Sequence, residues 1–250
     1  MPLDLHTITW GRGDRSLLLL HGITSDARGW WRLGPDLATR GWEVTAADLR
    51  GHGESPSGAD YALASYAGDV LGLADRWDAV LGHSLGGAVA VVAAGLRPGY
   101  AGRLVLVDPA LFTGSVDPGE AVEALLAPYR RPATTDAVAA DNPSWHPEDC
   151  RMKAEALPRC PPGVVRATIY DNPDWNLIAE TAGLTAPTTV IGGDPAHGGI
   201  VPVTVGEWFA EECPNLDYVM ISGSGHSIHR EVAHYDALVA AVLAALEVER

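Results

Sequence analysis

Short apolar runs alternate with stretches of helical spacing through the first half of the chain. Ser16-Leu17-Leu18-Leu19-Leu20 is apolar at successive positions, as a strand buried between two helical layers must be. Glu43 to Ala47, Ala79-Val80-Leu81 and Arg103 to Val107 repeat that signature. Between them, Trp30 to Thr39, Tyr66 to Trp77 and Leu85 to Leu96 place apolar residues on one helical face. Leu3 to Trp10 mixes alternation with turn residues and reads as an edge strand ending at Gly11-Arg12-Gly13. Strand, helix, strand in repetition predicts an α/β fold, a mostly parallel sheet with helices on both faces.

From Ala110 to about Leu184 the pattern changes. Strand-like runs vanish, prolines recur, and short helices are expected at Glu120–Ala127, Glu148–Leu157 and Trp175–Thr181. Such a segment between two sheet strands reads as an inserted helical cap, residues 110–184, on a core made of 1–109 and 185–250. Lids over apolar pockets need large side chains, and Trp30, Leu111, Trp145 and Trp175 are the expected pocket walls. The sheet then resumes with Pro187 to Gly193, a helix from Thr204 to Glu212, a strand from Leu216 to Ile221 and a closing helix from Tyr235 to Leu246.

Three strand ends carry chemistry. Gly82-His83-Ser84-Leu85-Gly86 joins an apolar strand to a small-residue helix, the arrangement of a nucleophile elbow. The turn is tight enough that its flanking positions must be Gly, and Ser84 is left near a helix N-terminus that favours developing negative charge. A serine hydroxyl needs a base, and an imidazole base needs a carboxylate to fix its tautomer. Asp194 after Gly193 and His226 after Gly225 supply both, each directly after a buried strand. The strand ending in His21-Gly22 brings backbone close to a ligand, so the N–H groups of Ile23 and Leu85 are the expected oxyanion hole.

The remaining histidines fit other roles. His52 sits in the loop Asp48 to Ser55, which is expected to keep its shape through an Asp48–Arg50 network. His83 packs beside the nucleophile, and His229 lies near the pocket or at the surface. His146, His197 and His234 lack ligands at metal spacing, so no metal is expected.

Charge narrows the partners. With 17 Lys and Arg against 32 Asp and Glu, the net charge of −15 repels phosphate backbones and anionic membranes, so nucleic acid and membrane are not expected partners. No apolar run approaches a membrane span, and the N-terminus lacks a basic region followed by a long apolar core, which reads as cytoplasmic. Cys150, Cys160 and Cys213 show no metal spacing; Cys150 and Cys160 could pair, but reduced thiols are expected in the cytosol.

Together, the His21-Gly22 loop, the Asp48-x-Arg50-Gly51-x-Gly53-x-Ser55 stretch, the Gly82 to Gly87 elbow, Gly193-Asp194 and Gly225-His226 with Glu231 five residues later resemble the α/β-hydrolase fold superfamily. The resemblance implies a Ser84–His226–Asp194 triad, an oxyanion hole from Ile23 and Leu85, and no cofactor. Members of the superfamily often carry a Val-Pro pair a few residues after the acid. Here Pro195 to Ile200 intervene before Val201-Pro202, and some relatives place the acid one strand earlier, where Asp108 stands as the alternate. The expected substrate is a small, largely apolar ester or lactone, with Arg151 or Arg166 as candidate clamps for an anion. Carbon–carbon bond hydrolysis and perhydrolysis use the same triad, and a ligand-binding member without turnover is the reading from another class.

Overall fold

Among the described residues, 2–113 and 116–247 of the computed structural model, seven strands form one sheet. They are β1 (Thr7–Trp10), β2 (Arg15–Leu20), β3 (Trp42–Ala47), β4 (Ala79–His83), β5 (Leu104–Val107), β6 (Thr188–Gly193) and β7 (Leu216–Ile221). The helices, in chain order, are α1 (Leu33–Ala38), α2 (Leu63–Val70), α3 (Leu85–Leu96), α4 (Pro118–Leu126), α5 (Thr135–Asp141), α6 (Pro147–Ala156), α7 (Pro162–Tyr170), α8 (Ile178–Ala182), α9 (Val203–Glu212) and α10 (Tyr235–Glu247). The spatial order is β1-β3-β2-β4-β5-β6-β7, with β1 antiparallel to β3 and all other neighbours parallel.

Both faces of the sheet are covered. Leu17 and Leu19 of β2 pack with Leu33, Leu37, Leu238 and Val242 of α1 and α10. Leu18 and Leu20 point the other way, into an apolar cluster to which α2, α3 and α9 contribute Tyr66, Val89 and Phe209. All four leucines are fully buried, each stabilising the fold by about 1.5–3 kcal/mol relative to exposure. Apolar patterning on both faces of one strand is therefore the direct cause of the two-sided layering.

Several element boundaries differ from the periodicity. The edge strand starts only at Thr7; before it, the His6 carbonyl accepts from the Asp48 N–H and the His6 imidazole bonds the Asp48 carboxylate. The expected helix from Trp30 is split into a 3-10 turn, Ala27–Trp30, and α1. α2 starts three residues before Tyr66 and ends at Val70; Gly72 then donates to the Asp69 carbonyl in a tighter turn. Two helices absent from the periodicity, α5 and α7, stand between β5 and β6 beside α4, α6 and α8. No described helix is long and apolar enough to cross a membrane.

The Asp48 loop is built differently from expectation. Asp48 accepts from the backbone N–H groups of Ala27 and Glu54 and from His6, at 2.6, 2.9 and 2.8 Å. Arg50 turns away to a bidentate pair with Asp69, at 2.7 and 2.9 Å. The loop is thus stapled by backbone donors on one side and a buried ion pair on the other.

Candidate active site

Strand register brings the chemistry together. β4 lies between β2 and β5, so the residues that follow those strands flank the residue that follows β4. His83 pairs with Val107, which sets Ser84 beside Asp108, and the Ser84 N–H donates to the Val107 carbonyl at 3.2 Å. Ser84 has φ 52° and ψ −117° and begins α3. The turn requires its glycines: a Cβ on Gly82 would lie 2.3 Å from the Gly86 carbonyl oxygen, and one on Gly86 would lie 2.2 Å from that of Leu20.

His226 comes from the loop after β7 and lies over the end of β6. Its Nδ1 meets Asp108 Oδ2 at 2.7 Å. A carboxylate only accepts, so Nδ1 carries the proton and Nε2 is left as the basic nitrogen. Asp108 is fully buried and also accepts from the N–H groups of Gly193, Ile200 and Val201, at 3.0, 2.9 and 3.3 Å. Gly193 ends β6, and Ile200 and Val201 are on the return of the longer loop after it, which closes over Asp108.

The expected His226–Asp194 contact is not made. Asp194 Oδ1 accepts from the Ala196 N–H, capping the short turn Pro195–His197, and Oδ2 accepts from the Gly223 N–H of the loop after β7, both at 2.9 Å. Two geometric causes separate the aspartates. Asp108 is one strand from Ser84 and Asp194 two, and Asp194 faces outward, where those N–H donors hold its carboxyl below the usual range.

Backbone strain marks the same place. Among the described residues, the non-glycines with positive φ are Thr24 at 60°, Ser84 at 52° and Asp108 at 39°. Each follows one of the three central strands, β2, β4 and β5. Such conformations cost about 1–3 kcal/mol each and persist only where the surroundings impose them, typically at functional sites.

The loop after β2 is held by His21. Its Nε2 accepts from the Leu49 N–H at 3.0 Å, so Nδ1 carries the proton and donates to the Gly22 carbonyl at 2.8 Å. The same carbonyl accepts from Ser25 N–H at 3.2 Å. A Gly22 Cβ would lie 2.8 Å from His83 Nδ1, so the loop needs glycine to lie this close to the elbow. Ile23 and Leu85 both border the cavity above Ser84.

Three imidazoles cluster beneath that cavity. His83 lies 4.7 Å from His226 and 4.6 Å from His229, centroid to centroid, and its Nε2 donates to the His226 carbonyl at 3.0 Å. Burial holds His83 and His229 well below the ordinary histidine value, and buried His52 is pushed down to about 3. His52 bonds the Arg50 carbonyl and serves the loop.

A cavity of about 450 Å³ opens above Ser84, bordered by His226, Trp145, Trp175 and apolar residues of α4 and α7. Trp30 and Leu111, also expected there, are not in its lining. Trp30 stacks 4.8 Å from His229, and Leu111 is buried with its carbonyl bonded to the Leu177 N–H. The expected clamps are elsewhere too: Arg151 pairs with Glu148 and Glu155, and Arg166 faces Glu123, all at the surface. The cations that do line the cavity are Lys153 and Arg230. Composition and spacing held no signal for either, because what sets them apart is which groups they fail to pair with. Among the described residues no group of three His, Cys, Asp or Glu is placed to hold a metal ion, and the three cysteines are buried and free.

Known proteins resemble this arrangement at several depths. The chain is 37% identical over 132 residues to the lipase LipV of Mycobacterium tuberculosis, a match spanning about half of each protein. It is 30% identical over 242 residues to an N-formylmaleamate deformylase of Pseudomonas putida, covering 89% of this chain and 86% of that one. The chain spans half or less of the length of several other curated relatives that it matches. A crystal structure of an N-formylmaleamic acid deformylase from Pseudomonas putida S16 superposes with a TM-score of 0.79 at 27% identity, over 96% of both chains. The model of the alpha/beta hydrolase family matches residues 17–241, from the strand before the His21-Gly22 loop into the last helix, and the chain belongs to that family.

Proposed function

We propose that the chain is a serine hydrolase that cleaves a small carboxylic ester or lactone through an acyl-enzyme at Ser84. The observation that carries this reading is the His226 Nδ1 to Asp108 bond of 2.7 Å beneath a cavity that Ser84 and His226 both line. In this mechanism His226 Nε2 takes the Ser84 proton as Oγ attacks the substrate carbonyl carbon. The Ile23 and Leu85 N–H groups hold the tetrahedral oxyanion, and Asp108 stabilises the imidazolium. His226 then protonates the leaving alkoxide. Water, deprotonated by the same Nε2, attacks the acyl-enzyme and releases the acid and free Ser84. The helices between β5 and β6 act as a cap whose Trp145 and Trp175 exclude water from the acyl group.

A second reading keeps the machinery and changes the bond. The relative matched along most of its length is named a deformylase, which favours an N-formyl amide as substrate. Protonation of the leaving nitrogen by His226 replaces protonation of an alkoxide.

The test is incubation with a fluorophosphonate followed by peptide mass spectrometry. The expected result is one adduct at Ser84, absent in Ser84→Ala and His226→Ala. Folded wild-type protein that takes no adduct contradicts the reading. Turnover of esters, lactones and N-formyl amides side by side then separates the two substrates.

A further inference from the structure

We propose that the cavity above Ser84 holds a substrate carboxylate between Arg230 and Lys153, so that the natural substrate is a short acyl compound with an anionic end. The inference rests on the serine-hydrolase reading and names the substrate class for that site. Arg230 is 4% exposed and yet has no carboxylate within ion-pair distance among the described residues. Its Nε donates to His229 Nε2 at 3.2 Å and its Nη2 to Ser25 Oγ at 2.7 Å, while Nη1 is buried with no acceptor. Trp145 covers the guanidinium face at 4.7 Å. Asp149 and Asp26 act on this guanidinium only from beyond ion-pair distance; a buried guanidinium without a hydrogen-bonded carboxylate is costly, and an arriving carboxylate lowers that cost.

Lys153 faces the same cavity and, among the described residues, has no carboxylate within ion-pair distance. Its Nζ donates to the Thr24 carbonyl at 2.8 Å and to Thr24 Oγ1. The nearby acids are committed elsewhere: Asp26 to Arg28, Asp149 to Arg32. In a chain of net charge −15, two cations without carboxylate partners on one apolar cavity are a selective anion site.

Their anchors set the reach. Thr24 and Ser25 are the first and second residues after Ile23, so their Cα atoms lie within about 7.6 Å of that hole donor. Only a few bonds can separate the reacting carbonyl from the carboxylate. The remaining lining, Ala121, Ala124, Leu125 and Ile169, fits the apolar part of the substrate.

The experiment compares monoethyl esters of C4 to C8 dicarboxylic acids with ethyl esters of the matching monocarboxylic acids. Wild type is expected to favour the anionic members by about 10- to 100-fold in kcat/KM, the range of a charge-assisted hydrogen-bonded pair. That ratio should collapse toward one in Arg230→Gln and fall in Lys153→Met, the second variant guarding against misfolding of the first. Equal rates for both series in wild type, or an unchanged ratio in both folded variants, overturn the anion site while leaving the hydrolase reading intact. If wild type turns over neither series, calorimetry with adipate and adipamide decides. Binding of adipate alone keeps the anion site and removes the ester reading; binding of neither removes the anion site.

Discussion

Asp108 and Asp194 both follow buried parallel strands, yet the fold treats them oppositely. Asp108 is sealed from solvent, held in a left-handed conformation, and given three backbone donors and an imidazole. Asp194 keeps an ordinary φ of −77° and spends one oxygen on capping a turn and the other on the Gly223 N–H. A carboxylate at the end of a strand is therefore available in two places, and proximity to Ser84 in the sheet decides which one meets His226. The same contrast recurs on α6. Arg151 is exposed and satisfied by Glu148 and Glu155, whereas Lys153, two residues on, faces the cavity and bonds Thr24.

The largest expected break in this comparison is Asp108→Asn. Exchanging carboxylate for amide keeps the shape but removes the acceptor that fixes the His226 tautomer, and kcat should fall by about 10⁴-fold. Steady-state kinetics on any turned-over ester checks it.

The α6 contrast predicts a smaller, pH-dependent effect. Burial, with Arg230 nearby, pushes Lys153 down to about 7. It is then cationic below that pH and neutral above it. Arg230, Cys160, Asp26, His52 and His83 are the other titratable groups acting on it or feeling it. Cys160 is pushed up to about 11, His52 down to about 3 and His83 well below its ordinary value, so none of these changes charge near neutrality. The preference for anionic over neutral esters should decline by up to about 10-fold as pH rises through 7. Taking the ratio cancels any pH effect on the steps that both substrates share. Arg151→Ala should leave the curve unchanged.

The smallest effect is expected at the solvated aspartate. Asp194→Asn should change kcat by less than about threefold. Its carboxyl is held low by the Gly223 and Ala196 N–H groups, so its contribution to stability is complete above the unfolded carboxylate range and is lost as pH falls through the lower folded value. Thermal unfolding should show Asp194→Asn slightly below wild type at pH 7, and the two converging in acid.

Much of this architecture was legible in the chain. Leu17 to Leu20 announced a two-sided strand, and the run Leu85 to Leu96 matched α3 because small apolar residues leave few other ways to pack. The elbow glycines were legible for the same steric reason that the close approaches now display. α7 carried a start signal in Pro162 at its first position, but the Pro161-Pro162 pair reads equally as irregular chain. α5 is seven residues long with one buried side chain, too little apolar surface to show a period. Asp108 ranks behind Asp194 in the sequence because sequence order gives strand ends but not strand neighbours. In the sheet, β5 lies next to β4, and β6 does not. Lys153 and Arg230 were invisible for a related reason, since a missing counter-ion is a property of three-dimensional company.

The most direct test is the rate of fluorophosphonate addition to Ser84 in Asp108→Asn and Asp194→Asn, followed by intact-protein mass spectrometry against wild type. The account predicts labelling of Asp194→Asn within a few-fold of wild type and of Asp108→Asn slower by orders of magnitude. Fast labelling of Asp108→Asn together with loss of labelling in a folded Asp194→Asn would contradict it and return the acid to the end of β6.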